Sequence, residues 1–426
     1  MKTIKKINQT LLLYLAISVC HTLSAQSIQY YRPADQSGIN QFETSKIDTT
    51  VYKGLKVRVG GNLAIPYQML RDSNNPNPLN AANTPIKIGN GFDLASANLN
   101  LDVQLEDGVR LNLVTYLASR HHEDTWVKGG YLQFDKLAFL HSPLIDKLMQ
   151  NSTIKIGEME INYGDYHYRR TDNGNSIYNP FEENLIMDAF ATEVAGEFYY
   201  HPKSLVAMLA ISNGELKDDV SKVGVRAPAV YGKLGFDQQF DSDLRVRLTG
   251  SFYYTNSSAS NTLFAGDRAG SRYFLVLATT NDFTSPHTTG RWSPGFSDRV
   301  ATFVINPFIK FHGLELMGNL ETAKGRSAAE TTRRNVNQYA VDAVYRFLPG
   351  EKLFVGARYN SVTGELSTGM NSGSVNRVAL CGGWFLTRNV MMKAEYVNQQ
   401  YNGFPDNSIY HEGEFHGVMF EAAIGF

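Results

Sequence analysis

Leu244-Arg245-Val246-Arg247-Leu248-Thr249-Gly250-Ser251-Phe252 is the stretch on which the reading of the fold turns. In an extended chain Leu244, Val246, Leu248, Gly250 and Phe252 share one face, while Arg245, Arg247, Thr249 and Ser251 share the other. A helix cannot bury a period of two, because its apolar positions must recur every three to four residues. The same rhythm returns downstream. Ala301, Phe303, Ile305 and Ile309 oppose Thr302, Asn306 and Lys310; Leu314, Leu316 and Leu320 oppose Glu315, Asn319 and Glu321; Tyr339, Val341, Ala343 and Tyr345 oppose Gln338, Asp342 and Arg346. From about residue 54 onward, segments of about ten residues repeat this pattern, each with one greasy face.

Composition agrees with strands that are wet on one side and apolar on the other. The chain has 426 residues, 43% of them hydrophobic and 12% aromatic, with 36 glycines, 14 prolines and two cysteines. Charged residues make up 19%, and the mean hydropathy is −0.27. Beyond residue 25 no apolar run approaches the roughly 18 residues that a spanning helix needs. Alternating lipid-facing and water-facing residues cancel in any window average, which produces this balance.

The first residues address the chain for export. Lys2, Lys5 and Lys6 precede an apolar run from Leu11 to Val19, and Leu23-Ser24-Ala25 forms a cleavage site, so residues 1–25 are expected to be a signal peptide. Its removal takes three lysines and no acids, so the net charge goes from −1 to −4. Cys381 then stays as a single thiol, which excludes an intramolecular disulfide. Neither a mildly acidic balance nor any basic run suggests nucleic acid as a partner.

Connection lengths supply the topology. Short turns are expected at Glu106-Asp107-Gly108, 201–203, 238–243, Phe311-His312-Gly313, 348–352 and 387–389, with long polar stretches at 64–91, 162–190, 213–227, 255–298, 324–335, 361–373 and 398–412. Membrane barrels place tight turns on the periplasmic side and long loops outside. The expected fold is therefore all-β, a transmembrane antiparallel β-barrel of about 16 strands over residues 54–426. Residues 26–53 form an N-terminal periplasmic or rim segment. The 255–298 loop decides the strand number: 16 if Tyr273 to Ala278 is an excursion, 18 if it hides a further span. Residues 137–150, where Ser142-Pro143 opens a run with Leu144, Ile145, Leu148 and Met149, read as a short periplasmic helix. Trp126, Trp384, Tyr345, Tyr359 and Tyr396 near strand ends suit interfacial girdles.

Val418, Phe420, Ala422, Ile424 and Phe426 alternate with Gly417, Met419, Glu421, Ala423 and Gly425, and the sequence ends on a phenylalanine. This resembles the closing strand of Gram-negative outer-membrane barrels, and places the chain in that membrane. About 16 strands leave room for an aqueous channel. The basic residues expected to line it are Arg58, Arg110, Arg245, Arg247, Arg346, Arg358, Arg377 and Lys393, joined by Lys56, Lys233 and Lys310; acidic ones such as Asp102, Glu315, Asp342 and Glu395 face them. A modest basic excess favours anionic solutes weakly, unless the charges pair across neighbouring strands.

The long 162–190 stretch contains Tyr168, Arg169, Arg170, Glu182, Glu183 and Asp188. Folded into the lumen it would form a constriction where guanidinium forks face carboxylates; left outside it would be a lid. The run Lys155-Ile156-Gly157-Glu158-Met159-Glu160-Ile161-Asn162-Tyr163-Gly164 resembles the strand-to-loop signature of the phosphate-selective porin O and P family. The resemblance implies a sixteen-stranded porin fold, a homotrimer, and passive diffusion of small hydrophilic solutes, anions or phosphate among them. In that family clustered lysines at the constriction bind phosphate, whereas this loop offers Arg169 and Arg170 and no lysine cluster.

Two other classes stay open. A receptor or adhesin barrel with a closed lumen would use the long loops, including Asn74, Asn75, Pro76, Asn77 and Pro78. A rim-located enzyme would need a Ser, His and acid constellation. His121 and His122 beside Glu123 and Asp124 form the densest cluster, and a polar loop accounts for them. No G-x-S-x-G, H-E-x-x-H, Walker or dinucleotide motif occurs. No catalytic residue, metal ligand or cofactor is assigned.

Overall fold

The computed structural model describes residues 27–77, 83–118, 123–216, 226–266, 270–280 and 288–426. The signal peptide expected at 1–25 and the His121-His122 pair lie outside these residues. The chain forms a closed antiparallel barrel of 16 strands with one extra two-residue piece, Gly91–Phe92, laid beside the first. The first half comprises β1 (Lys56–Ser73), β2 (Ser96–Glu106), β3 (Val109–Leu117), β4 (Trp126–Phe134), β5 (Ser152–Glu160), β6 (Thr192–Tyr200), β7 (Leu205–Ser212) and β8 (Ala229–Gln239). The second comprises β9 (Leu244–Thr255), β10 (Arg299–Phe311), β11 (Leu314–Arg326), β12 (Arg334–Phe347), β13 (Leu353–Glu365), β14 (Ser372–Thr387), β15 (Val390–Asn402) and β16 (Glu414–Gly425).

Each strand pairs with its sequence neighbours, and β1 closes the ring. It runs against β2 from Lys56↔Gln104 to Ala64↔Ser96 and against β16 from Asn62↔Gly425 to Ser73↔Glu414. Phe426 extends the seam by exchanging backbone hydrogen bonds of 3.0 and 3.1 Å with Gly61. Closure satisfies backbone groups that would cost several kcal/mol each if left bare in lipid. The described residues of the 256–298 connection contain no spanning strand, which settles the count at 16 rather than 18.

The wall alternates as its residues dictate. Leu248, Phe252, Phe303, Leu316, Leu320, Tyr339, Val341 and Phe420 are exposed on the outer surface, while Arg247, Thr249, Asn306, Glu315, Gln338, Asp342 and Glu421 are buried inside. Trp126, Trp384, Tyr345, Tyr359 and Tyr396 all stand on the outer face. Several boundaries differ from the sequence reading: β1 continues through Pro66 to Ser73, so the loop expected from residue 64 begins at 74, and β11, β13 and β15 run on to Arg326, Glu365 and Asn402 where loops were expected from 324, 361 and 398. The Pro66 carbonyl accepts from the Asp93 amide at 3.1 Å, so its backbone faces the short Gly91–Phe92 side. The missing N–H therefore removes no rung of the long β1–β16 ladder.

Helix α1 (Pro143–Met149) starts at Ser142 with proline in its first turn. It buries only Met149 and exposes Leu144 and Leu148, so it rides on the rim instead of filling the lumen.

The interior is unequal. On the β10–β16 side the long 256–298 connection folds inward. There Leu263, Phe264, Tyr273, Val276 and Trp292 form one apolar mass with Ile186 and Met187 and with the inward Val300, Val336, Val362, Val375 and Val397. The outer halves of these strands thus present apolar residues to the inside, a departure from the polar lumen expected of the whole wall. The β1–β6 side is left polar.

Candidate functional site

Residues 161–191 cross the lumen and pack against the inner faces of the second-half strands. Wall side chains hold the loop backbone directly. Gln338 accepts from the Met187 amide and donates to its carbonyl, each at 2.8 Å. Asn360 accepts from the Ile186 amide at 2.6 Å, and Glu395 from the Glu182 amide at 2.9 Å. Gly174 marks the closest approach to the opposite side: a Cβ there would lie 2.7 Å from the Asn62 carbonyl oxygen and 2.8 Å from Ala97 Cα. Only glycine fits that contact.

Asp165 is the hub of the loop's near end. Its carboxylate, fully buried, accepts from Lys233 Nζ at 2.9 Å, Arg247 Nε at 2.7 Å and Nη2 at 2.9 Å, and Thr249 Oγ1 at 2.7 Å. Burial opposes its ionisation, but the Arg247 and Lys233 charges hold it below the ordinary carboxylate range. Glu43, from the N-terminal segment, joins the cluster at 2.7 Å from Arg247 Nη1 and 3.5 Å from Lys233 Nζ.

The sequence candidates occupy these positions. Arg169 donates to Glu315 at 2.5 Å and to Asn40 Oδ1 at 2.7 Å, and Arg346 reaches the same Glu315 at 2.9 Å. Arg170 donates to Asp188 at 2.5 Å. Arg291, from the 256–298 connection, bridges Asp188 at 3.2 Å and Glu183 at 2.8 Å. Burial raises the Glu183 carboxyl, and Arg291 and Arg377 outweigh it, bringing it down to about 2. The Glu182 carboxyl oxygens are buried with no hydrogen-bond partner among the described residues. Burial first, then the nearby Glu421 charge, pushes that carboxyl well above its ordinary value. Tyr168 takes an Asn162 amide on its hydroxyl at 3.0 Å and packs edge-on against Phe42 at 5.7 Å.

The basic wall residues are engaged as well. Arg110 donates to Asp102 at 2.7 Å, Arg245 to Asp237 at 2.7 Å, and Arg358 to Asp342 at 2.7 and 2.8 Å. Arg58 lies 4.0 Å from Asp102 and over the Tyr31 ring, and Lys393 is 3.1 Å from Glu421. Arg377 binds no carboxylate among the described residues; it donates to the carbonyls of Asn184 at 2.8 Å and Gly290 at 2.7 Å, tying both inner loops to the wall.

The sequence reading placed residues 26–53 at the rim but not their course. Residues 27–50 form a strap across the short-turn mouth of the barrel, tied to turns all round the ring. Gln29 contacts Gln104 and Gly108, the Gln36 amide donates to the Arg388 carbonyl at 2.8 Å, and Lys46 reaches Asp135 and Ser152. Arg32 lies 3.8 Å over the Tyr178 ring, which links the strap to the crossing loop. The available signal was the spacing of Arg32, Asn40 and Glu43, polar groups that a mobile tail does not need.

Strap, crossing loop and the β1–β6 wall enclose a chamber of about 310 Å³. Its charged lining is balanced. Arg32, Arg110, Lys128, Lys155 and Arg170 face Glu43, Asp102, Glu158, Glu160 and Asp172. The Lys155 ammonium sits 5.5 Å from the Tyr131 ring centre and 5.0 Å from that of Tyr199. Burial lowers the pKa of both histidines in the lining, His167 and His201, so both are neutral at pH 7.

No protein-family model matches the chain, and no curated protein matches it in sequence. Solved structures match its fold. OmpT, an outer membrane protein of Vibrio cholerae, in its in-vitro folded trimer form, has 13% identity and a TM-score of 0.52 over 88% of this chain and all of that one. The outer membrane channel DcaP of Acinetobacter baumannii has 10% identity and a TM-score of 0.51 over 88% and 98% of the two chains. OmpF of Salmonella typhi, in complex with daunomycin, has 11% identity and a TM-score of 0.50 over the same shares. The protein has the fold of outer-membrane β-barrels. At these identities the likeness carries the architecture and nothing of the site.

Proposed function

We propose that the protein is an outer-membrane porin of a Gram-negative bacterium, through which small hydrophilic solutes diffuse passively between the β1–β6 wall and the crossing loop. The observation that carries this reading is the chamber: a polar, charge-lined space of about 310 Å³ inside a closed lipid-facing barrel, bounded by a loop held at many points. A low-dielectric wall makes the lining's net charge the main term in ion preference. With five cations against five anions, that preference is weak. It leans to anions because Lys155 rests on tyrosine rings and pairs with no carboxylate among the described residues. In this reading Arg169, Arg170 and Asp188 fix the constriction by holding the loop, and no catalytic step, cofactor or nucleotide is involved. The trimer form of OmpT and the barrel architecture support a homotrimer.

One observation favours a second reading, a receptor barrel with a closed lumen: the strap spans the periplasmic mouth. Single-channel recording of the purified protein in planar bilayers under a salt gradient separates the two. The porin reading expects discrete conductance with a reversal potential slightly on the chloride side, lost in Lys155→Met. Absence of conductance, or a clear preference for potassium, overturns it.

A further inference from the structure

We infer that the chamber is a binding site for a neutral carbohydrate, a sugar of one or two rings. The inference deepens the porin reading by naming the solute, and rests on it only for the direction of transport. At about 310 Å³ the chamber lies at the small end of ligand sites and corresponds to roughly ten waters of liquid volume.

Three features of the lining select the class. The first is charge. The cations and carboxylates of the lining are equal in number, and several are bonded to one another, as in Arg110 with Asp102 at 2.7 Å. An anion entering would gain from the guanidinium groups and lose against Glu158, Glu160 and Asp172. A neutral solute meets no such conflict.

The second is the mixture of hydrogen-bonding roles. Five asparagines, at positions 62, 98, 100, 112 and 175, line the chamber, each with one accepting oxygen and a donating amide. Asn62 Nδ2 is a donor and Asn175 Oδ1 an acceptor, and both are buried with no hydrogen-bond partner among the described residues; Asn62 itself is only 4% exposed. A hydroxyl donates and accepts at once, so a polyol answers both atoms. A carboxylate is an acceptor only and would leave Asn175 Oδ1 unanswered, and hydrogen phosphate, which has an O–H to give, brings its charge against Glu158, Glu160 and Asp172.

The third is the aromatic surface. Tyr31, Tyr131, Tyr168, Tyr178 and Tyr199 line the same space. Lys155 takes one face of Tyr131 and of Tyr199, Arg58 one of Tyr31 and Arg32 one of Tyr178, and the ring carbon left toward the chamber meets the C–H side of a pyranose while the asparagine amides meet its edge. Apolar faces and dense amides in one balanced chamber suit a ring that is itself apolar on its faces and polar at its rim.

The test uses the full mature barrel in detergent and in bilayers, with maltose as probe and inorganic phosphate as the anionic comparison. Isothermal titration calorimetry is expected to show saturable maltose binding, with phosphate binding absent or weaker. In bilayers maltose is expected to lower the ion current along a saturation curve. Tyr131→Leu on the wall and Asn175→Ala on the loop should each weaken maltose about tenfold, while Tyr359→Leu on the lipid face should not. Two variants on separate elements keep the test decisive if one misfolds. Conductance without maltose binding or block overturns the carbohydrate assignment and leaves the porin reading standing. Maltose binding without conductance upholds the assignment and overturns the porin. Phosphate binding tighter than maltose refutes the argument from balanced charge.

Discussion

Replacing Asp165 by asparagine keeps the shape of the loop's hub and removes its charge. In the native protein Arg247 and Lys233, both fully buried, direct three hydrogen bonds of 2.7–2.9 Å at this carboxylate. Removing one partner of a buried pair costs about 3–5 kcal/mol, because the charge left behind stays desolvated. Glu43 remains at 2.7 Å from Arg247 and 3.5 Å from Lys233, so the lower end, about 3 kcal/mol, is expected. The barrel wall does not depend on this carboxylate. The loss should therefore appear as easier local opening of residues 162–170, with global unfolding little changed. Three kcal/mol is about two decades in an opening equilibrium. Hydrogen–deuterium exchange at the Tyr168 amide, bonded to the Asp165 carbonyl at 3.1 Å, and at the Arg169 amide, bonded to the Tyr166 carbonyl at 2.9 Å, should accelerate about a hundredfold. Strand amides such as those of β12 should keep their rates. Acceleration of less than about threefold would refute the hub reading, since half a decade is under 1 kcal/mol.

Further expectations rest on other contacts. A Cβ on Gly425 would lie 2.0 Å from the Ala34 carbonyl oxygen, so Gly425→Leu should dislodge the strap; protease cleavage between residues 28 and 45 and a larger single-channel conductance report it. Unchanged conductance with a cleavable strap would mean that the strap does not obstruct the path. Glu182, its carboxyl pushed up by burial and by Glu421, makes loop docking strongest below the ordinary carboxylate range and weaker as pH rises through the Glu182 value. Glu182→Gln should remove that dependence and slow exchange at residues 180–186 at pH 8. Glu330 has the opposite sign: hydrogen bonds from Arg334 lower it to about 2, so the 327–333 turn should keep its order from pH 8 to pH 5 and lose it as pH falls toward 2, read by exchange at the Glu330 amide.

The wall was legible because its physics is local. An alternation such as Leu314-Glu315-Leu316 needs no knowledge of distant residues to show which face meets lipid, and turns such as His312-Gly313 announce themselves by length. The loop expected from residue 64 fails for the opposite reason: proline at 66 argues against a strand locally, and only the short partner at Gly91–Phe92 makes it harmless. The loop residues 162–190 were visible as a long polar stretch, but not which way their side chains turn. Arg169 meets Glu315 across 146 positions and Asn40 across 129, contacts that no spacing rule reports. The apolar mass around Leu263 and Trp292 was hidden because loops are read as solvated, and the strap because an isolated polar segment of its length has no core of its own.

The ion pairs also change what a count of basic residues means. Arg358 donates to the Glu183 carbonyl at 2.8 Å, Arg377 to those of Asn184 and Gly290, and Lys393 to those of Phe181 at 2.7 Å and Asn179 at 3.2 Å. Each of these cations is spent on a backbone oxygen of an inner loop, and none of the three lines the chamber. A buried carbonyl without a donor is costly, and a loop crossing a barrel carries many of them with no sheet to pair with. Inward cations of β13–β15, Arg358, Arg377 and Lys393, therefore serve as the loop's substitute for secondary structure, and their charge is closed off by Asp342, Glu421 and the loop itself. In the proposed porin a solute would meet the charges of the strap, the crossing loop and the β1–β6 wall. The basic excess of the whole wall thus overstates the field along that path, and the balanced lining of the chamber, with Lys155 on its tyrosines, is the quantity on which permeation would depend.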